Sequence, residues 1–506
     1  MRRLVGAVQS ADGFSRTLLE LTGDSTQYLV GLVVMGLTNT VLLPLYMRYL
    51  SPREFGLYAL IEVTALGLMV VSGLGFNVSY LKSFAEDGHS AVTKLLGTML
   101  GCGAVSAALS GVALVILIRG SYGVHIFGRE PREFTRLLGL LILFETLETL
   151  FHTHLRAQRR PMAISVASVL RLFGIAAFSI LFIVVQHRGL TGLFAGRVLG
   201  DVVALLANIF CCRRDLGLSF SKSAAGVMLR YGMPLVTIGL MQLSLDGTGR
   251  YLVDHYGTLE QVGLYTAGIK VSNLMRILLV APLGAAWGGL IFQIGRKPNA
   301  QFIYSKLLSY ILFVAAAVAI AISLLAPTLF LVFSGPAYRG AVVLVPWLLL
   351  VQVASIVQCP ASVGIYIGNA TPWLFPIYGL GVVLELAAGR ILVPRYGMFG
   401  AAWAWLFGWA VISILTGWIG QRYYRIQFEW KSIAGSLLLL SVVPLTKYLN
   451  VTQPSVGSVL FELGGCCAIA GVAMILIVRD VRKSTTLFKN EFAGEVKVAK
   501  LAEELG

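Results

Sequence analysis

Apolar runs of about twenty residues follow one another almost from end to end of this chain, separated by short polar links. That pattern excludes most folds at once. Backbone groups in hydrocarbon have no water to bond to, so a spanning segment must satisfy its own N–H and C=O groups as a helix or within a closed barrel. A barrel would show segments of about ten residues with alternating polarity, and none is visible. Charged residues make up 13% of the chain and hydrophobic residues 57%, against about 25% charged in soluble domains. The chain therefore reads as an all-α polytopic membrane protein.

Fourteen spans are expected, near 28–48, 57–80, 95–118, 137–154, 163–186, 190–210, 231–253, 262–291, 303–333, 341–367, 373–393, 398–420, 432–449 and 457–478. The fourth is the least apolar, because it carries Glu145, Glu148 and His152. Ahead of the first, residues 1–24 lack a continuous apolar core, so no cleavable signal is read there. Arg2, Arg3 and Arg16 among apolar residues suit an interfacial helix, and a partly ordered tail fits the same residues. The tail 481–506 is read as cytoplasmic.

The net charge of +16 does not point to nucleic acid, because the basic residues sit at span ends on alternate loops. Twenty-one Lys and Arg lie on the side of the N-terminus and ten on the other. Positive residues mark the cytoplasmic side, so both termini are expected there. The six cysteines form no C-x-x-C pair. They lie within or beside apolar runs, where a free thiol behaves as a small hydrophobe, and no chemistry, metal or cofactor is assigned to them. No G-x-x-x-x-G-K-[ST] loop occurs, which argues against direct drive by ATP.

The chain repeats at an offset near 208 residues. Gly56, Leu57, Tyr58 and Ala59 recur as Gly263, Leu264, Tyr265, Thr266 and Ala267. Gly189 to Phe194 recurs as Gly397 to Ala402. Arg160 and Pro161 before the fifth span match Thr371 and Pro372 before the eleventh. Six spans per repeat is an even number, so both halves enter the membrane in the same direction. Two six-helix lobes, 25–222 and 223–430, are expected to face each other across a cleft, with 431–480 adding two helices.

Charges inside the spans are the candidate functional residues, since each costs about 2.5–3.5 kcal/mol on insertion scales. Gln242, Asp246, Arg250 and Asp254 recur every fourth residue, along one helix face. Arg197 and Asp201 have the same spacing, and Glu145, Glu148 and His152 form a stripe. Arg171, Glu62, Lys270 with Asn273, Arg276, and Glu385 with Arg390 complete the set. Two readings stay open. Asp246 with Arg250 and Arg197 with Asp201 suit neutralising pairs on their own helices. Lys270, Arg276 and Arg171 have no acidic neighbour on theirs, which suits cations facing a shared cavity, where a guanidinium matches phosphate oxygens. Lys270, Arg276, Arg250, Arg171 and Arg197 are thus candidates for binding an anion. Asp246, Glu145, Glu148 and Glu62 are candidates for coupling to an ion or proton, because crowding and burial disfavour ionised carboxylates. Pairing with Arg156 at the helix end is the plainer reading of Glu145 and Glu148. No catalytic residue is assigned.

Tyr49-Leu50-Ser51-Pro52-Arg53-Glu54-Phe55-Gly56-Leu57-Tyr58-Ala59-Leu60 resembles the first loop of the polysaccharide transporter family, which includes the Wzx-type O-antigen flippases. That family belongs to the superfamily of multidrug/oligosaccharidyl-lipid/polysaccharide exporters. Tyr231 to Leu235 is similar to the opening of its seventh helix, and Arg250 to Lys270 to its seventh-to-eighth helix signature. The family often has an acid just before that arginine, where this chain has Gly249. The resemblance implies two lobes of the kind found in multidrug exporters. It also implies transport of undecaprenyl-pyrophosphate-linked sugars across a bacterial inner membrane, with the polysaccharide polymerase machinery as a possible partner. Two rivals remain: a multidrug exporter of the related class, whose cleft should be acidic, and a membrane polymerase or ligase. The latter would need a long outside loop, and residues 119–136 offer only a short one.

Overall fold

A computed structural model describes residues 42–87, 92–120, 134–217, 219–296, 300–427, 429–448 and 464. Most of the first expected span, the fourteenth and both terminal segments lie outside them. The helices are α1 Leu43–Tyr49, α2 Pro52–Ser72, α3 Phe76–Asp87, α4 Val92–Arg119, α5 Thr135–Ala157, α6 Pro161–Ser179, α7 Gly189–Cys212, α8 Lys222–Tyr256, α9 Leu259–Met275, α10 Ala281–Gly295, α11 Ala300–Phe333, α12 Val345–Ala361, α13 Val363–Ile367, α14 Leu374–Tyr396, α15 Met398–Tyr423 and α16 Trp430–Val442. Ten helical segments among the described residues are long and apolar enough to cross a membrane. The second to thirteenth expected spans each fall on one of these helices or a run of them.

The duplication has a structural cause at each matching site. Helix α2 starts on Ser51, whose hydroxyl accepts from the Glu54 N–H, while Glu54 accepts from the Ser51 N–H. The equivalent helix α9 starts on Thr258, which accepts from the Gln261 N–H. Such caps satisfy donors that the first turn of a helix leaves free. Gly189 and Gly397, at the joints α6–α7 and α14–α15, both have positive φ, of 51° and 56°. Only glycine adopts that region at little cost, which is why the repeat keeps glycine there. Packing repeats as well. Helix α6 lies on α7 as α14 lies on α15, α4 on α5 as α11 on α12, and α5 on α7 as α12 on α15.

The halves meet through α2 and α9, which are equivalent helices side by side. A Cβ added to Gly56 would strike the Leu259 carbonyl, and one added to Gly263 would strike the Pro52 carbonyl. These contacts are reciprocal, as an axis between the two helices requires. Small residues let membrane helices approach this closely. Nearby, Arg48 donates to the Val332 carbonyl at 2.8 Å and Tyr338 to the Leu50 carbonyl at 3.0 Å. At the other end of α2 the chain breaks at Leu74 and Gly75, with φ of 52° and 68°. There Gly75 lies against the Gly232 backbone of α8, with no room for a Cβ on either residue. Gly75→Ala is expected to destabilise the protein by about 1–3 kcal/mol, read as a lowered midpoint of thermal unfolding in detergent.

Candidate functional site

Between these two glycine contacts lies a cavity of about 780 Å³. Its walls come from α2, α5, α6, α7, α8 and α9, with Trp405 from α15. All nine charged candidates read from the sequence line it: five cations and the four carboxylates Glu62, Glu145, Glu148 and Asp246. Glu62 is ten residues into α2, about 15 Å along its axis, so the charged belt lies near mid-membrane depth.

In the first half, Arg171 of α6 sits among three carboxylates. Its Nε is 2.7 Å from Asp201 Oδ1 and 3.1 Å from Glu148 Oε2, and its Nη2 is 2.8 Å from Glu145 Oε1. Arg197 of α7 reaches Glu145 at 2.6 Å, donates to Tyr58 Oη at 3.2 Å and lies 3.8 Å from Glu62. His152 is buried 3.8 Å from Glu148. Glu62 accepts from Tyr58 Oη at 2.6 Å and from Lys270 Nζ of α9 at 3.0 and 2.9 Å, a pair that crosses between the halves.

In the second half, Arg276 pairs with Asp246 at 3.0 Å, and its side chain is 50% exposed to the cavity. It begins a π-helical turn, Arg276–Val280, ahead of Pro282. Proline lacks the N–H that an α-helix needs there. Single π-helical turns within helices are frequent at functional sites. Arg250 is buried and, among the described residues, has no carboxylate within 4.0 Å and no partner for its Nε. Its Nη1 contacts only the Asp246 carbonyl, at 3.5 Å.

Three readings of the charges need correction. The own-helix pairs Asp246–Arg250 and Arg197–Asp201 do not form; Asp246 pairs with Arg276, Asp201 with Arg171, and Arg197 with Glu145 and Glu62, all on other helices. Lys270, Arg276 and Arg171, which lack acids on their own helices, are not unpaired, since neighbouring helices supply those acids. Glu145 and Glu148 pair with Arg171 rather than with Arg156. The belt is therefore nearly balanced rather than purely cationic. Glu385 does not pair with Arg390: both its carboxylate oxygens are buried without a partner among the described residues, and Arg390 is exposed. Gly249 has a physical reason too. A Cβ there would lie 2.6 Å from the hydroxyl of buried Tyr265, which leaves no place for an acid. The sequence analysis did not find Thr146 or Gln242's partner Tyr378 at 3.2 Å; nothing in local spacing marks them.

Two helical halves around a charged cavity make a fold that this chain shares with solved membrane proteins. Solved structures agree. The lipid II flippase MurJ, in an inward closed conformation, matches with a TM-score of 0.69 at 13% identity, covering 91% of this chain and 99% of that one. An inward-facing MATE family multidrug resistance transporter of the MOP superfamily matches with a TM-score of 0.57 at 16% identity, covering 79% and 94%. An outward-facing structure of such a transporter matches with a TM-score of 0.52 at 19% identity, covering 79% and 93%. No curated protein sequence matches. The chain belongs to the family described as polysaccharide biosynthesis protein, whose profile matches residues 45–343, and the ten long apolar helices among its described residues make it a multi-pass membrane protein.

Proposed function

We propose that this protein flips undecaprenyl-pyrophosphate-linked oligosaccharide from the cytoplasmic to the outer leaflet of a bacterial inner membrane by alternating access, with both termini in the cytoplasm. The supporting observation is the cavity of about 780 Å³ with Arg171, Arg197, Arg250, Lys270 and Arg276 on its walls. A diphosphate cannot enter hydrocarbon unaided, because desolvating its charge costs tens of kcal/mol. Cations at that depth replace the lost hydration, while the polyprenyl tail stays in the bilayer. Arg276 is the most exposed of them, and Arg250 offers donors that no carboxylate among the described residues occupies. Glu145, Glu148, Glu62 and Asp246 supply proton or ion coupling in this reading. Rocking of one half against the other opens each side in turn.

The test is deletion of the gene in its host, followed by measurement of lipid-linked oligosaccharide in each leaflet. Accumulation on the cytoplasmic leaflet is expected, with rescue by the wild type. Arg276→Ala is expected to insert normally and to lower flipping by about tenfold or more, the effect of a lost charge-assisted hydrogen bond. Unchanged leaflet distribution with altered sugar-chain length would assign a polymerase instead. A second reading, multidrug export, is favoured by the four cavity carboxylates. Loss of resistance to cationic dyes on deletion, with normal oligosaccharide distribution, would establish it.

A further inference from the structure

The Lys270–Glu62 pair stands apart from the other pairs of the belt. Both Glu62 oxygens face one ammonium, at 3.0 and 2.9 Å. The pair joins equivalent helices of the two halves, just under two turns beyond the Gly56–Gly263 contact. It also lies in the cavity wall, within reach of a bound molecule. Next to it, Tyr251 of α8 bonds Thr64 Oγ1 at 2.5 Å and the Leu60 carbonyl at 3.3 Å, so this is the seam between the halves. Glu62 has holders of its own besides Lys270, namely Tyr58 Oη at 2.6 Å and Arg197 at 3.8 Å. Among the described residues, Lys270 has no second carboxylate within 4.0 Å.

That asymmetry has a chemical consequence. A carboxylate stripped of its only cation at this depth would be a buried, unpaired charge, which is costly. Glu62 would not be stripped. It can release Lys270 and keep the tyrosine hydroxyl and the arginine. Lys270 cannot release Glu62 unless another anion replaces it. We propose that the Glu62 carboxylate is a built-in stand-in for the ligand's diphosphate. The ligand binds by exchange: its diphosphate takes Lys270, Glu62 falls back on Tyr58 and Arg197, and the ion pair across the seam is lost in the same event. The seam therefore loosens only when an anion strong enough to displace a two-oxygen carboxylate is in place. This makes Glu62 a specificity residue, one that rejects neutral and weakly charged lipids. The inference rests on the flippase reading.

Binding to the purified full chain in detergent tests it, with farnesyl diphosphate as the probe and farnesol and inorganic pyrophosphate beside it. Glu62→Gln removes the competing anion and is expected to tighten farnesyl diphosphate binding by about tenfold or more. Tyr58→Phe removes a holder of the displaced carboxylate, and is expected to weaken binding. Opposite signs from two contacting residues are not what structural damage produces. Spin labels at exposed Tyr49 and Glu260 report the seam. Farnesyl diphosphate is expected to lengthen their separation in the wild type, and Glu62→Gln to lengthen it without ligand. Pyrophosphate acting as well as farnesyl diphosphate supports exchange with the headgroup alone; farnesol acting equally well overturns it. If Glu62→Gln weakens binding, or leaves it unchanged, the stand-in role is overturned while the flippase reading stands. If no diphosphate binds the wild type, both fall.

Discussion

Replacing Arg171 by glutamine is expected to lower folding stability by about 3–5 kcal/mol, the cost of leaving buried charge without its counter-ion. The expectation follows from geometry. Arg171 sits within 3.1 Å of Asp201, Glu148 and Glu145, and the first two are buried. Without it, Glu145 keeps Arg197 at 2.6 Å, but no other cation among the described residues lies within 4.0 Å of Asp201. Arg171→Lys should recover little, because an ammonium is a point charge and cannot serve three carboxylates as a planar fork does. Adding Glu148→Gln to Arg171→Gln should restore part of the loss by removing one orphaned charge, a coupling that a double-mutant cycle reads directly. Thermal unfolding in detergent checks all three variants. A midpoint for Arg171→Gln within error of the wild type would mean that the three acids do not depend on this arginine.

This contrasts with Arg276, whose side chain is half exposed to the cavity and whose single partner, Asp246, is itself partly exposed. Water can replace an arginine there. The two arginines look alike in the sequence, each an apparently lone cation in an apolar helix. They differ because of what other helices bring to them. Arg171 finds Glu145 at a separation of 26 residues, and Lys270 finds Glu62 at 208. Spacing along one helix reports only neighbours three or four positions away, so it suggested Asp246–Arg250 and Arg197–Asp201 and missed the pairs that form.

The cavity's location was more legible than its wiring. Apolar length fixes where helices must lie, and an ionisable residue inside one has to face protein or water. That is enough to send Glu62, Glu145, Glu148 and Asp246, along with the five cations, toward one interior space. Local breaks were less visible. Ser72-Gly73-Leu74-Gly75 reads as part of one span, yet α2 ends there and Leu74 takes a positive φ. The two glycines flanking Leu74 were the available signal. The π turn at Arg276 had one as well, in Pro282.

The second large effect is expected at the seam between the halves. Gly56→Val should destabilise the protein by about 3 kcal/mol or more, at or beyond the usual range for overpacking. Its new Cβ would overlap the Leu259 carbonyl, and backbone cannot swing aside as a flexible side chain can. Gly263→Val should cost about the same, since its Cβ would overlap the Pro52 carbonyl. The two contacts share one gap between parallel helices. Once either valine has pushed α2 and α9 apart, the second meets less resistance, so the double variant should lose clearly less than the sum of the singles. The spreading should reach further along the helices and part Lys270 from Glu62, just under two turns away. Gly101→Ala is the control: nothing lies within 4 Å of the added Cβ, and removing a helical glycine should raise stability by up to about 1 kcal/mol. Unfolding midpoints of the four variants decide the matter. Strict additivity of the two valines would mean that the contacts are independent and that the helices do not pack as a reciprocal pair.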